Sequence, residues 1–280
     1  HFPAHNTIPG GEGEGEDHRV LDQGEPDPVM ELITPQIVHN ALHSFGPKKA
    51  PGPDGLRPKV LQNLGWEAID LLTEIYQESI TTTVIPRPFL HMKVAFLPKN
   101  KPDKTSPKSY RPITLSSFLL KGLERIIQWH FQETILQNPL PNQHAYTKNR
   151  SCDTALSTVI DKVERGKQNG AHTLLVSLDC SGAFDNLTYD CSIRALRDAG
   201  VTSRLTNWYR KLLSNRMVDS ELYGLVKTIY PTKGSPQGGV LSPLVWNLAI
   251  NELLSQFREG TDVNDLGRHC IKAVGYADDV

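Results

Sequence analysis

The chain has 280 residues, a formal net charge of −1 and 38% hydrophobic residues, a composition typical of a globular protein rather than a fibrous one. No apolar run approaches the roughly 20 residues of a membrane span, so no membrane association is expected. The N-terminus has neither a start Met nor an apolar signal segment, which is typical of an internal fragment. The four cysteines form no CxxC pair, which favours free thiols over a disulfide framework or a zinc site.

Charge is distributed unevenly along the chain. Residues 1–32 contain eight acidic residues against one arginine, together with many glycines and prolines, and predict a flexible acidic linker over residues 1–33. Residues 87–151 contain eleven lysines and arginines against three acidic residues. This basic segment could follow nucleic-acid phosphates, although a solvated surface explains the charge equally well.

Periodicity and capping residues predict a mixture of helices and short strands. The predicted helices cover approximately residues 34–45, 58–79 with a break near 65, 116–127, 155–163, 189–199, 205–215 and 242–253. Residues 94–99 and 110–115 predict two strands of a hairpin with a cationic tip, and two further short strands flank residues 223–224. No internal repeat is present.

Two loops combine glycine and proline with basic residues. Lys48 and Lys49 precede the run Ala50–Gly55, which predicts a rigid loop that is either a nucleic-acid contact or an ordinary connector. Residues 233–239, Lys-Gly-Ser-Pro-Gln-Gly-Gly, predict a loop too rich in glycine to pack.

The central feature is a pair of apolar segments that each end in carboxylates. Residues 173–178 are an apolar run too short for an ordinary helix and predict a buried strand that ends at Asp179. Near the far end of the chain, Gly275-Tyr276-Ala277 leads to Asp278 and Asp279 in the same way. If the two segments pair, three carboxylates can hold two divalent cations. Taken alone, each carboxylate is more often a strand-end cap or a solvated turn residue.

The order of these motifs closely resembles that of reverse transcriptases. The resemblance rests on Leu178-Asp179 with Ala183-Phe184-Asp185, on Ser235–Pro243, on Tyr276–Asp279, and on Tyr110–Ile113 with Lys121, Glu124 and Arg125. Residues 49–55 are similar to an additional N-terminal motif of non-LTR, LINE-type retrotransposon enzymes, including the jockey group. The resemblance covers about residues 34–280.

The resemblance implies an α+β fold of the right-hand polymerase type, with palm and fingers, helices over an antiparallel sheet, and the thumb absent. It divides the chain into the linker over residues 1–33, an N-terminal extension and fingers over residues 34–170, and a palm over residues 171–280 that is incomplete at its C-terminus. Because only Val280 follows Asp279 in this sequence, this fragment alone is expected to lack processive synthesis.

The resemblance also implies roles for individual residues. Asp179, Asp278 and Asp279 are the catalytic carboxylates, and they bind the metal together with the main-chain carbonyl of Cys180. The nucleotide-binding residues implied are Lys99, Arg111, Phe184, Gln237 and Gly238. Lys48, Lys49 and Arg216 are implied contacts for the template or primer.

The implied activity is RNA-directed DNA polymerisation, in which a deoxynucleotide is joined to a primer 3′-hydroxyl with two Mg²⁺ ions, or Mn²⁺ in their place. The implied partners are an RNA template, a DNA primer or target DNA, deoxynucleotides and other domains of the same polyprotein. The implied location is a ribonucleoprotein particle in the nucleus and cytoplasm. Two alternatives remain: a degenerate element remnant that only binds RNA, and a maturase-like or telomerase-like polymerase.

Overall fold

The structure is a computed structural model of the chain. It describes residues 27–100, 105–106, 109–137, 140, 142–222, 225–256 and 273–280. Most of the predicted acidic linker, residues 1–26, lies outside the described residues, as does the predicted cationic tip of the hairpin at residues 101–104. None of the helices in the described part is both long enough and apolar enough to cross a bilayer.

The described residues form helices and strands in mixed order. The helices are α1 Pro35–His43, α2 Pro58–Leu61, α3 Trp66–Thr82, α4 Arg87–Leu90, α5 Phe118–Thr134, α6 Cys152–Gln168, α7 Ala183–Asn186, α8 Tyr189–Asp198, α9 Ser203–Asn215 and α10 Ser242–Leu254. The strands are β1 His91–Pro98, β2 Tyr110–Ser116, β3 Met217–Leu222 and β4 Leu225–Ile229. A 3₁₀ helix, Pro28–Leu32, precedes α1. The predicted α+β class is confirmed.

Hydroxyl side chains cap the predicted helices where the sequence places them. The side chain of Thr34 accepts a hydrogen bond from the amide of Ile37 at the start of α1. Thr188 does the same for Cys191 in α8. Such a cap satisfies an amide that has no partner within the helix and stabilises it by about 1 kcal/mol.

The chain divides into two compact units, the first made of residues 1–126 and 202–232, the second of residues 127–201 and 233–280. The second unit thus groups residues on both sides of the predicted boundary at residue 170, while residues 202–232 join the first unit.

The first unit contains a four-stranded sheet in the order β2-β1-β3-β4. Strand β1 pairs antiparallel with β2, in register from Met92 opposite Ser116 to Pro98 opposite Tyr110. It pairs in parallel with β3, with His91 opposite Met217. The predicted hairpin and the two short strands are therefore present, but the sheet is mixed rather than purely antiparallel, because the long connection from β1 to β3 allows a parallel pair.

The helices of the first unit pack against one another through a core of large side chains. Trp208 of α9 is buried, and its indole N–H donates a hydrogen bond to Ser79 Oγ of α3 at 3.0 Å. Tyr76 of α3 is also buried and donates its hydroxyl hydrogen bond to the carbonyl of Leu119 in α5. Both polar groups are thus satisfied inside an apolar core, as buried polar groups generally are.

The end of the predicted linker is ordered, which corrects the linker prediction for residues 27–33. Val29 and Ile33 are fully buried in the first unit. Asp27 is buried too, and its carboxylate accepts hydrogen bonds from the amide of Val29 and from the hydroxyl of Thr202. The acidic, glycine-rich composition predicted a linker here, but burial of two apolar side chains anchors this short segment.

The predicted buried strand over residues 173–178 is wrong. The structure gives this segment no regular secondary structure, and Leu174 and Leu175 are 87% and 70% exposed. An apolar run is buried on both faces only when neighbouring strands and covering layers lie beside it. Among the described residues no strand pairs with residues 171–177, and the first bridge along the segment is at Asp179.

Candidate active site

A tight turn in the second unit carries two of the predicted catalytic carboxylates. Tyr276 and Asp279 exchange two main-chain hydrogen bonds, of 2.8 Å and 3.2 Å. Ala277 is the first central residue of this turn, and its φ of 59° lies in the left-handed region. The hairpin turns of types I′ and II′ have a positive φ at this position. Asp278 and Asp279 therefore lie at a short, closed turn.

This turn pairs with the segment that carries the third carboxylate. Leu178 and Val280 exchange main-chain hydrogen bonds of 2.7 Å and 2.9 Å, and the amide of Cys180 donates to the carbonyl of Asp278 at 3.1 Å. Asp179 and Asp279 are directly opposite each other in this antiparallel bridge. Directly opposed residues point to the same face, and at such a position their Cα atoms are typically about 4.5 Å apart. The pairing that the metal hypothesis required is thus present.

The electrostatic environment of Cys180 reports the same clustering of charge. Burial raises the pKa of the Cys180 thiol first, and the negative charges of Asp179, Asp278 and Asp279 raise that pKa further. The negative charges of all three carboxylates therefore influence the Cys180 side chain.

The glycine-rich loop lies against the turn that follows Asp179. The amide of Ser235 donates to the carbonyl of Phe184, and the amide of Gly234 donates to the carbonyl of Leu187, both at 2.8 Å. Gly234 has a φ of 86°, and a Cβ at this position would lie 2.9 Å from the carbonyl oxygen of Asp185. Ser235 and Pro236 are buried, so the expectation that this loop cannot pack is wrong.

The structure brings three of the predicted nucleotide-binding residues into the same unit as the carboxylates. Phe184 is half-buried in α7, and its ring centroid lies 5.7 Å from that of Trp246 in α10. Gln237 is half-buried and Gly238 is exposed in the loop that contacts the main chain of Phe184. The region around Phe184 therefore contains residues that are more than 50 positions apart in the sequence.

The other predicted contacts lie in the first unit. Lys99 is half-buried beyond the end of β1, and its amide donates to the carbonyl of Ser109 at 2.7 Å. Arg111 is exposed on β2, opposite Leu97. Lys48 and Lys49 are exposed in the loop between α1 and α2. Arg216 is 3% exposed, so a direct template contact requires this side chain to be uncovered.

Three residues near the carboxylates were not selected from the sequence. Gln143 is fully buried and hydrogen-bonds to Ala277 on both its amide and its carbonyl. The indole N–H of Trp246 donates to the same carbonyl at 2.9 Å. The pKa of Tyr146 is raised by burial, then by the charge of Asp278 and by Tyr276. No local sequence pattern marks a glutamine that contacts a residue 134 positions away.

The chain is similar to a known protein family and to several known proteins. The family described as reverse transcriptase (RNA-dependent DNA polymerase) matches residues 97–280. Two retrovirus-related Pol polyproteins are similar to the chain, one from the type-1 retrotransposable element R2 of Popillia japonica and one from the type-1 element R1 of Bradysia coprophila. The first is 26% identical over 89% of the chain and 34% of the relative, and the second is 28% identical over 74% and 20%.

A probable RNA-directed DNA polymerase from transposon BS of Drosophila melanogaster is 24% identical over 81% of the chain and 25% of the relative. A chain of a partial Cas6-RT-Cas1–Cas2 complex aligns over 90% of this chain and 37% of its own length, at 15% identity and a TM-score of 0.46.

The chain belongs to the reverse transcriptase family. The predicted resemblance is confirmed, and the relatives named above are proteins of retrotransposable elements. The chain spans about a third or less of the length of these curated relatives. Members of the family depend on divalent metal ions and bind a nucleic-acid template and primer.

The donor atoms in this region fit a divalent metal ion of the hard type. Carboxylate oxygens are the ligands that Mg²⁺ prefers, and the antiparallel bridge brings Asp179 next to the turn of Asp278 and Asp279. In the part of the chain that the structure describes, no group of three or more His, Cys, Asp or Glu side chains has the arrangement of a metal site. The main-chain pairing thus places Asp179 beside the turn of Asp278 and Asp279.

Proposed function

We propose that the chain is the polymerase domain of an RNA-directed DNA polymerase from a non-LTR retrotransposon. The observation that carries the proposal is the antiparallel bridge that sets Asp179 opposite Asp279, with Asp278 in the same turn. A protein that only binds RNA needs no such cluster, because carboxylates repel the phosphate backbone. The match of the reverse transcriptase family to residues 97–280 supports the same activity.

The proposed metal ligands are Asp179, Asp278 and the main-chain carbonyl of Cys180, with Asp279 in support. Two Mg²⁺ ions held there, or Mn²⁺ in their place, would supply Lewis acidity for the primer 3′-hydroxyl and charge neutralisation for the triphosphate. Main-chain hydrogen bonds keep the carboxylate of Asp179 and those of Asp278 and Asp279 on neighbouring segments. Fixed placement matters because phosphoryl transfer depends mainly on positioning and electrostatics.

The remaining residues are proposed to select and hold the substrates. Phe184 lies on α7, four residues after Cys180, and its ring is proposed to lie beneath the sugar and exclude a 2′-hydroxyl. Gln237 and Gly238 are proposed to lie against the templating base pair, where a residue without a side chain allows close approach.

Cationic side chains are proposed to bind phosphates. Lys99 and Arg111 are the proposed contacts for the incoming triphosphate, since charged donors form the stronger hydrogen bonds to phosphate oxygens. Lys48, Lys49 and Arg216 are proposed for the template or primer. The proposed partners are thus an RNA template, a DNA primer and deoxynucleotides, within a ribonucleoprotein particle of the nucleus and cytoplasm.

The decisive experiment replaces Asp179 by Asn in the full-length protein. The amide keeps the shape of the side chain but removes the negative charge that two dications require, so primer extension on an RNA template should fall by at least about 10²-fold. Binding of the primed template, measured by fluorescence anisotropy, should change little. Asp198→Asn, at the end of α8 in the same unit, is the matched control and should retain extension. Extension by Asp179→Asn at the rate of the control would contradict the proposal.

A further inference from the structure

Gln143 makes an unusually complete set of contacts with the turn that carries Asp278 and Asp279. Its side-chain oxygen accepts hydrogen bonds from the amides of Ala277 at 3.1 Å and Ala145 at 3.0 Å. Its side-chain nitrogen donates to the carbonyl of Ala277 at 3.4 Å. Two backbone amides point to the same atom, which fixes that atom as the oxygen. Gln143 is fully buried, so no water competes for these groups.

The main chain that carries Gln143 is itself held in place. The amide of His144 donates to the carbonyl of Gly275 at 2.8 Å, and the amide of Gly275 donates to the carbonyl of Asn142 at 2.7 Å. The guanidinium of Arg150 donates to the carbonyl of Gln143 at 2.7 Å. The side chain of Gln143 therefore extends from a hydrogen-bonded segment of main chain and contacts Ala277, which lies in the hydrogen-bonded turn.

The contact falls on the residue of the turn that adopts the least favourable backbone conformation. Ala277 has a φ of 59°, a left-handed conformation that is unfavourable for a residue with a Cβ and persists only where the surroundings hold it. Gln143 binds the amide of Ala277, while Gln143 and the indole of Trp246 share its carbonyl. Both polar groups of the strained residue are thus held by side chains.

We infer that Gln143 is a positioning residue for the polymerase reaction, which acts through Ala277 to fix the main chain of Asp278 and Asp279. This inference rests on the proposed function. Asp278 follows Ala277 directly, so any rotation of the Ala277 peptide groups moves the carboxylates with it. The printed hydrogen bonds of the Gln143 side chain go to main-chain atoms, and through Ala277 they stabilise the turn that forms the antiparallel bridge to Asp179.

The test replaces Gln143 by Met in the full-length protein. Met has a similar length and volume, so it fills the buried space and removes all three hydrogen bonds. The maximal rate of primer extension should fall by about 10- to 100-fold, since small displacements of catalytic groups cost up to roughly 10²-fold. The KM for deoxynucleotides should change by less than about twofold, because the proposed triphosphate contacts are untouched.

A second readout is independent of activity. The amide of Ala277 should exchange its hydrogen at least about tenfold faster in Gln143→Met, because the acceptor that protects it is lost. Ile193→Val, a buried change on α8 in the same unit, is the control for general loosening of the core, and it should leave both the extension rate and this exchange rate unchanged.

Trp246→Phe removes one donor to Ala277 and keeps the aromatic ring beside Phe184, so it provides a milder variant if Gln143→Met does not fold. It should lower the maximal rate less than Gln143→Met does, again with the KM unchanged. If Gln143→Met retains the extension rate and the Ala277 exchange rate of Ile193→Val while the wild type is active, the positioning role is overturned and the polymerase proposal stands. An inactive wild-type protein would instead overturn the proposed function itself.

Discussion

At Gly52 the main chain passes so close to another segment that a single added carbon has no room. A Cβ built at this position would lie 2.7 Å from the carbonyl carbon of Ser116 and from the amide nitrogen of Ser117. Ser117 also donates a 2.5 Å hydrogen bond to Asp54. The loop that follows Lys48 and Lys49 thus packs against the start of α5. This packing fixes the main chain next to the two exposed lysines.

Gly52→Ala should therefore lower the free energy of unfolding by about 1–3 kcal/mol, because the obstructing atoms belong to the backbone and cannot rotate away. Chemical denaturation monitored by Trp fluorescence measures the change. Gly65→Ala is the matched control, since a Cβ there meets no atom within 4 Å and its φ of −69° suits any residue. Equal unfolding free energies for the two variants would show that this contact is looser than described.

Among the secondary-structure elements, β1 holds the first unit's sheet together, because it pairs with both β2 and β3. A polar group supports its parallel edge. His91 of β1 and Asp219 of β3 are 2.6 Å apart, and Thr228 of β4 donates to the same carboxylate at 2.7 Å. These hydrogen bonds, that of Thr228 first and that of His91 second, hold the pKa of Asp219 below its usual range.

The direction of this pKa shift predicts a pH dependence of stability. A carboxyl group whose folded pKa lies below its unfolded value of about 3.9 stabilises the fold above that value, and the stabilisation is lost as the pH falls through the folded pKa. Asp219→Asn should therefore lower the free energy of unfolding at neutral pH, and the difference from wild type should disappear in strong acid. Denaturation curves across the acid range measure it.

Glu221→Gln is the control for that experiment, because Glu221 is an exposed carboxylate on the same strand. It should change stability much less at neutral pH, since exposed charges contribute little. A deficit in Asp219→Asn that persisted unchanged into acid would point to lost packing rather than to the carboxylate's charge.

For the molecule as a whole, the proposed triphosphate contacts Lys99 and Arg111 lie in the first unit and can be tested by themselves. Lys99→Ala and Arg111→Ala should each raise the KM for deoxynucleotides several-fold and leave the affinity for primed RNA nearly unchanged, because a triphosphate loses a charge-assisted contact. Steady-state extension kinetics with varied nucleotide measure the effect. Lys93→Ala, at a half-buried lysine of β1, is the matched control.

A different result would reassign the hairpin. If Lys99→Ala and Arg111→Ala weakened RNA binding and left the KM for nucleotides at the value of Lys93→Ala, the hairpin of β1 and β2 would belong to a template groove instead. The two results separate cleanly, because a template contact and a triphosphate contact appear in different kinetic constants.

The sequence by itself determined the features that depend on neighbouring residues. The caps at Thr34 and Thr188, the break near Gly65 and the hairpin of β1 and β2 all follow from residues within a few positions of one another. The family follows from the order of its motifs, and it is confirmed. Local chemistry of this kind is available to the chain before any long-range contact has formed.

Only the tertiary structure decided which segments lie together around the carboxylates. The apolar run of residues 173–178 has the composition of a buried strand, yet burial depends on neighbours that its own sequence does not encode. Gln143 carries no local signal, because its role comes from a contact with Ala277, 134 residues later. Likewise Gly234 is needed only because the carbonyl of Asp185 lies beside it. Such contacts arise only when distant segments pack, so packing determined the surroundings of the three carboxylates that the motifs had marked as candidates.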